Sequence, residues 1–403
     1  MNLVERLDKW IFWCLCGYSF ILCFESRLAD QFAGFAVLLG CVRFIKEPIK
    51  VNLSFYNRAF FVFFSTMFLL VFTSPEIDVS LRAFWHTFNR TLPFFLIVIF
   101  IKRKRELGIL LFVLLISIFI NSLYAICLGI ENINMGNQNI RMAGFKERDI
   151  IHFAGMLAMY IVITLTIFLS NSSELEMKYK YYAIFLFTIG FIALMFNGTR
   201  IVWAIAALLI VSIIFNQIKN KNKALIFVLL IAFGVIGFTY INPFMQQRIA
   251  SYFDANNPSN KGHYLIARDS IKLIQDHPIL GVGQGRFMKV FYTEGYIQQD
   301  TIVNEGKMIP HAHNNTLMIL AESGIIGCIA FWFMMGSFLY WSYKKWRVEK
   351  DEISMAFFLI TLSTILQGLT DYSFGLSSTT KMYFFIMGLY LCYTKIEIKH
   401  DKI

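Results

Sequence analysis

Stretches of about 20 apolar residues recur along this chain, parted by short clusters of lysine and arginine, and no other feature constrains its fold as strongly. A hydrocarbon core about 30 Å thick requires a helix of that length to cross it. Such segments fall at 9–24, 29–45, 55–73, 85–101, 108–129, 150–170, 181–197, 200–216, 224–242, 314–342, 353–371 and 379–396. With 57% hydrophobic and 16% charged residues, the chain has too little polar surface to cover several soluble cores. The net charge of +11 does not point to nucleic acid, because the basic residues lie in short clusters and form no long face. The expected fold is an all-α polytopic integral membrane protein with about 12 transmembrane helices. Trp10 to Phe24 runs directly into the next span without a small-residue cleavage site, so it reads as a span and not as a signal peptide. The seven cysteines lie in or beside apolar segments and spell neither a disulfide framework nor a CxxC metal site.

Lysine and arginine in short loops resist translocation, which sets orientation. Arg43, Lys46 and Lys50, then Lys102 to Arg105, Lys178 and Lys180, Lys219 to Lys223, and Lys344 to Lys350 fall in alternate loops, assigned to the cytoplasm with both termini. Residues 1–241 then hold nine spans, 242–313 form a large, partly helical periplasmic loop between the ninth and tenth spans, and 314–403 hold the last three spans and a cytoplasmic tail. A loop of that length should carry structure and function. Its expected helix, Tyr264 to Asp276, places Ala267, Ile271 and Ile274 on one face and Arg268, Lys272 and Gln275 on another.

The polar motifs gather on the outer side. Arg200 follows Asn197-Gly198-Thr199 at the membrane mouth, where a permanent guanidinium needs water, a carboxylate or a phosphate. Helix anchoring is the plainer role for such an arginine. After His277-Pro278 comes Gly281-Val282-Gly283-Gln284-Gly285-Arg286, readable either as a nest of N–H groups for an anion or as a simple return turn. His311-Ala312-His313-Asn314 precedes the tenth span, and in extended chain its two imidazoles point to opposite sides. His313 abuts the first turn of that span, whereas His311 lies two residues further off. Gly324 and Gly327, on one face of the tenth span, admit a neighbouring helix. Zinc would need third and fourth ligands that no spacing supplies, and Glu147-Arg148-Asp149 is a poor substitute for a DxD magnesium pair, so no metal and no cofactor is expected.

Thr199-Arg200, His277-Pro278-x-x-Gly281-x-Gly283 and the run His313-Asn314-x9-Gly324-x-x-Gly327, set within this topology, resemble the O-antigen ligase family of Gram-negative inner membranes. The resemblance implies a GT-C-like, metal-independent, inverting glycosyltransferase. It would take O-antigen glycan from undecaprenyl diphosphate and pass it to a sugar hydroxyl of lipid A–core at the periplasmic face, among membrane lipids and without nucleic acid. It further implies that Arg200 binds the diphosphate and that His313 is the essential, catalytic histidine, with His311, Asn314 and the glycines Gly281, Gly283, Gly324 and Gly327 in support. The family's second arginine falls here on His263, with Arg268 about one helical turn further on and Arg286 a third candidate for the diphosphate. O-antigen polymerases and protein O-oligosaccharyltransferases share much of the pattern, and an anionic-lipid transporter is the alternative outside enzymology. A transporter, however, should carry more polar groups at mid-membrane than His86, Asn89, Asn121 and Gln367.

Overall fold

A computed structural model describes residues 2–48, 55–135, 141–145, 150–173, 175–254, 257–306 and 308–400. Lys50, Glu147, Arg148, Asp149 and Lys402 lie outside the described residues. The described chain is helical: α1 (Leu3–Ile21), α2 (Ser26–Lys46), α3 (Phe55–Val71), α4 (Ile77–Asn89), α5 (Leu92–Phe100), α6 (Lys104–Asn134), α7 (Ile150–Leu169), α8 (Met177–Asn197), α9 (Arg200–Gln217) and α10 (Lys221–Ile241). Four shorter helices follow, α11 (Pro243–Phe253), α12 (Pro258–Asp276), α13 (Phe287–Thr293) and α14 (Gln299–Glu305). The last three are α15 (Asn315–Glu349), α16 (Glu352–Gly368) and α17 (Ser377–His400), with a 3-10 turn at Ser373–Gly375. Among the described residues, seven helices are long and apolar enough to cross a membrane, α2, α6, α7, α8, α9, α10 and α15, and two shorter apolar helices accompany them, Arg58–Val71 and Glu352–Gly368. The chain is thus a polytopic membrane protein, with α7 the most buried of these helices at 78% of its apolar window and α10 the least at 6%.

The segment 85–101 is not one span. It breaks at Arg90-Thr91 into α4 and α5, and the nine residues of α5 extend about 13.5 Å, under half the hydrocarbon thickness. Arg90 turns inward and donates to the Phe374 carbonyl at 2.9 Å, which ties the break to the segment before α17. The bundle also contains an ion pair that hydropathy conceals: Lys381, 2% exposed, meets Asp30 at 2.6 Å and donates to the Ser26 carbonyl at 3.0 Å. A buried charge needs such partners.

The basic loops converge at one end of the bundle, where Asp8 of α1 receives Arg43 at 3.0 Å and Lys102 at 3.3 Å. At the opposite end, residues 243–305 build a small second core of Ile266, Leu273, Val282, Phe287 and Phe291, which continues into Met318 and Ala321 of α15. A boundary at 313 therefore cuts through a packed unit. α12 starts at Pro258, earlier than the sequence implied, and buries Gly262, Leu265, Ile266, Asp269, Ser270 and Leu273. The face of Ala267, Ile271 and Ile274 is not the buried one, because Asp269 enters the core by accepting from Thr301 Oγ1 at 2.6 Å and Gln298 N at 3.0 Å.

Candidate active site

The two glycine motifs form one backbone clasp. Gly324 breaks the α15 ladder with φ 60°, ψ −166°, which frees carbonyls above it and an N–H below. Val282 N donates to Ala321 O at 2.9 Å, Gly283 N to Glu322 O at 3.0 Å, and Ile325 N to Pro278 O at 2.9 Å. A Cβ on Gly281 would strike the Glu322 carbonyl carbon, and one on Gly324 the Ile279 carbonyl, so the two backbones touch only because both residues are glycine. The nest is filled from within the chain: the Glu322 carboxylate accepts from the N–H groups of Phe287 and Gly285. Gly281 and Gly283 are therefore structural, and neither an open anion nest nor a loose turn describes them. Gly324 serves this clasp and not a helix crossing, while Gly327 lies against Ser323 and Leu70.

The clasp fixes the start of α15, and two asparagines then bolt that start to the segment after α16. Asn314 caps α15 by accepting from Leu317 N at 3.0 Å and donates to Leu369 O at 2.7 Å. Asn315 donates to Ser373 Oγ at 3.0 Å and accepts from Phe374 N at 2.9 Å. Asp371 is thereby carried beneath His313, with Nδ1 to Oδ1 at 3.3 Å. Its carboxyl is 5% exposed, and Oδ2 is buried without a hydrogen-bond partner. Burial alone raises the Asp371 pKa, but the hydrogen bond and charge of His313, the charge of His311 and the Tyr372 N–H outweigh it, so the carboxyl stays ionised below its usual range.

His313 adopts φ 48°, an uncommon conformation for a side chain of this size and one that clusters at functional sites. The bend swings the two imidazoles to the same side, contrary to the alternation of extended chain. Their ring centroids are 4.3 Å apart, and His311 Nδ1 accepts from His313 N. His263 joins from α12, its ring 5.1 Å from that of His313. Solvent reaches His263, yet the cleft walls desolvate it; this, with the nearby His313 and Arg200 charges, lowers its pKa below 6.5 against the opposing pull of Asp371 and Glu305. His311, His313 and Asp371 each offer one ligand atom within 4.8 Å of the others, so the chain does hold a third potential metal ligand that sequence spacing did not reveal.

One turn of α12 links these histidines to the arginines, since Asn260 and His263 are three residues apart. Arg200 donates to Asn260 Oδ1 at 2.8 Å, to the Ser251 carbonyl and to Ser259 Oγ at 3.5 Å. Its turn is rigid: Gly198 has φ 69°, and buried Asn197 donates to the carbonyls of Met142 and Ile150, both at 2.9 Å. Arg248 of α11 grips the Gly198 carbonyl through Nε at 3.0 Å and Nη2 at 2.9 Å. Burial, and then the neighbouring Arg200 charge, lower the Arg248 pKa. Among the described residues neither guanidinium has a carboxylate partner within ion-pair distance. Two adjacent cations in that state favour an anion between them.

The other expected cations are engaged elsewhere. Arg268 clamps Asp300 at 2.9 and 2.7 Å and Asp269 at 2.8 Å, joining α12 to α14 and holding the Asp300 pKa down to about 2. Arg286 bonds Glu76 at 3.0 Å and the Val282 carbonyl at 2.6 Å, which ties the glycine loop to the start of α4. Arg248 and Asp371 are the partners that sequence reasoning passed over. Asp371 had been absorbed into the end of the span 353–371, although α16 stops at Gly368.

No curated protein matches the chain. Residues 183–332 match the family model described as O-Antigen ligase, and that segment holds Arg200, Arg248, His263, His311, His313 and the whole clasp. Over residues 183–332, less than half of its length, the chain is similar to the O-antigen ligase family.

Proposed function

We propose that the protein is an O-antigen ligase that transfers glycan from undecaprenyl diphosphate to a sugar hydroxyl of lipid A–core at the periplasmic face of the inner membrane. The observation that carries this reading is that one turn of α12 meets both a His313–Asp371 pair, through His263, and Arg200 with its neighbour Arg248, through Asn260, which sets a proton acceptor near a candidate anion site. The donor already holds a good leaving group. What the protein must add is charge stabilisation of the departing diphosphate and removal of the acceptor proton.

In this mechanism Arg200 and Arg248 hold the diphosphate. Asp371 accepts from His313 Nδ1–H, which fixes the tautomer and leaves Nε2 free to take the proton of the acceptor hydroxyl. The acceptor oxygen attacks C1, the C1–O bond to phosphate breaks, and undecaprenyl diphosphate departs with the bonding pair from the opposite face, inverting the anomeric centre. No step requires a metal ion. The test is reconstituted transfer with purified lipid-linked O-antigen. Glycosylation of lipid A–core, undiminished by EDTA, is expected. Extension of a second lipid-linked repeat in place of lipid A–core would make the protein a polymerase, and EDTA-sensitive activity restored by zinc would convert His311, His313 and Asp371 into a metal site.

His263 supplies a pH dependence whose sign follows from its lowered pKa. The imidazole is neutral at neutral pH and gains charge only as pH falls below its ordinary value of 6.5, so in the wild type the donor KM should decrease over that acidic range. His263→Arg should give a low donor KM that no longer follows pH. A slope unchanged by the substitution would place His263 outside the diphosphate contact.

A further inference from the structure

A cavity of about 320 Å³ lies among α6, α7, α16 and α17, at the bundle end that carries the basic loops and far from the histidines. Its polarity is graded along its depth. Lys104, Ile353 and Tyr393 line its mouth; two helical turns further in, about 10 Å, the same three helices present Leu111, Ile360 and Ile386. Gly108 stands exposed at the side of the opening, where a Cβ would meet nothing within 4 Å. The Lys104 ammonium lies 5.6 Å from the centre of the Tyr393 ring, and that of Lys345 lies 6.0 Å from it. Among the described residues Lys104 has no carboxylate within ion-pair distance. The acidic groups at that end are engaged elsewhere: Glu106 accepts from the N–H groups of Lys102 and Arg103, Glu352 from Ser170 and Asn171, and Asp351 from the N–H groups of Ile353 and Ser354.

Thr166 lies between mouth and floor, three residues before the end of α7, and also lines the cavity. Its hydroxyl is buried without a hydrogen-bond partner, whereas Thr164 on the same helix donates to the Tyr160 carbonyl at 2.8 Å. Turning the Thr166 hydroxyl to a ligand therefore forfeits no existing bond. A cation, then an unpaired hydroxyl, then plain hydrocarbon complement an amphiphile whose anion, hydrogen-bond acceptor and chain follow in that order. We propose that the cavity holds one acyl chain of an anionic glycerophospholipid from the leaflet at that end, with its phosphate at Lys104 and an ester carbonyl at Thr166. A polyprenyl phosphate supplies the anion and the chain but no ester, so Thr166 favours the glycerolipid.

Native mass spectrometry of the full-length protein, incubated in detergent with phosphatidylglycerol or phosphatidylethanolamine of the same acyl chains, reads the site directly. The wild type is expected to retain one phosphatidylglycerol about fivefold more tightly than phosphatidylethanolamine, and Lys104→Ala to remove that preference. Gly108→Phe, which places a ring in the opening, should weaken both lipids about tenfold, whereas Gly336→Phe, at an exposed glycine of α15 outside the cavity, should change neither. An ether-linked phosphatidylglycerol, which lacks the carbonyl, should bind the wild type more weakly than the ester and bind Thr166→Val equally well. Melting curves without added lipid show whether each variant is folded; Lys104→Ala, an exposed side chain, decides alone if Gly108→Phe is not. Equal retention of the two headgroups by the wild type, unchanged retention by Lys104→Ala or by folded Gly108→Phe, or displacement of phosphatidylglycerol by equimolar undecaprenyl phosphate would each overturn the proposal.

Discussion

His313→Ala is expected to lower the rate of transfer by about 10²–10⁴-fold, the range that a positioned general base contributes, with the donor KM nearly unchanged. The backbone argues that this loss would not come from misfolding. The φ of 48° at His313 is enforced by Asn314 and Asn315 on the far side, through their bonds to Leu369, Ser373 and Phe374, and alanine meets much the same backbone cost there as histidine. Asp371→Asn should produce a smaller fall in kcat, since an amide oxygen can still accept from Nδ1–H but no longer stabilises the imidazolium formed as the proton is taken. His311→Ala should cost less again, because His311 supports the loop by accepting from the His313 N–H. His313→Gln gives a second variant of similar bulk. Near-normal glycosylation of lipid A–core by either His313 variant would exclude the base and leave the arginines as the main source of catalysis.

Hydropathy made most of the helices legible because spans are encoded locally: about 20 apolar residues in sequence are about 20 apolar residues in space. The exception at 85–101 shows the limit of that rule. Arg90 interrupts the apolar run, and its reason for turning inward is the Phe374 carbonyl, nearly three hundred residues away. The buried face of α12 was misread for the same reason. Asp269 looks like a surface residue until Thr301 and Gln298 supply its donors. His313 and Arg200 stand out in the sequence because each belongs to a compact motif, whereas Asp371 and Arg248 do not, since their contacts with those two arise only where separate helices meet. The glycines were recognised as constraints on the backbone, but their task, locking the loop after α12 onto the kink of α15, required the contact itself to be seen.

Arg200→Ala should reduce kcat/KM by about 10²–10³-fold, comparable with deleting one preorganised donor to a developing anion. Arg200→Lys is expected to fail almost as badly. The guanidinium is held in place by a bond to Asn260 at 2.8 Å and another to the Ser251 carbonyl, and its planar set of five N–H donors leaves others for a phosphate. An ammonium keeps the charge but cannot make those bonds and the phosphate contacts together. The comparison with Arg268 separates chemistry from architecture. Arg268 already clamps Asp300 and Asp269, so Arg268→Ala should lower thermal stability by loosening α14 from α12 while the donor KM stays near its wild-type value. Arg248→Ala should behave like Arg200→Ala, raising the donor KM, because the Arg200 charge is felt at Arg248 and the mechanism places both on the diphosphate. Parallel kinetics and melting curves for the four variants decide the matter. If Arg200→Lys is fully active, general positive charge or helix anchoring is all that position supplies; if Arg268→Ala loses donor affinity without losing stability, the diphosphate lies further along α12 than His263.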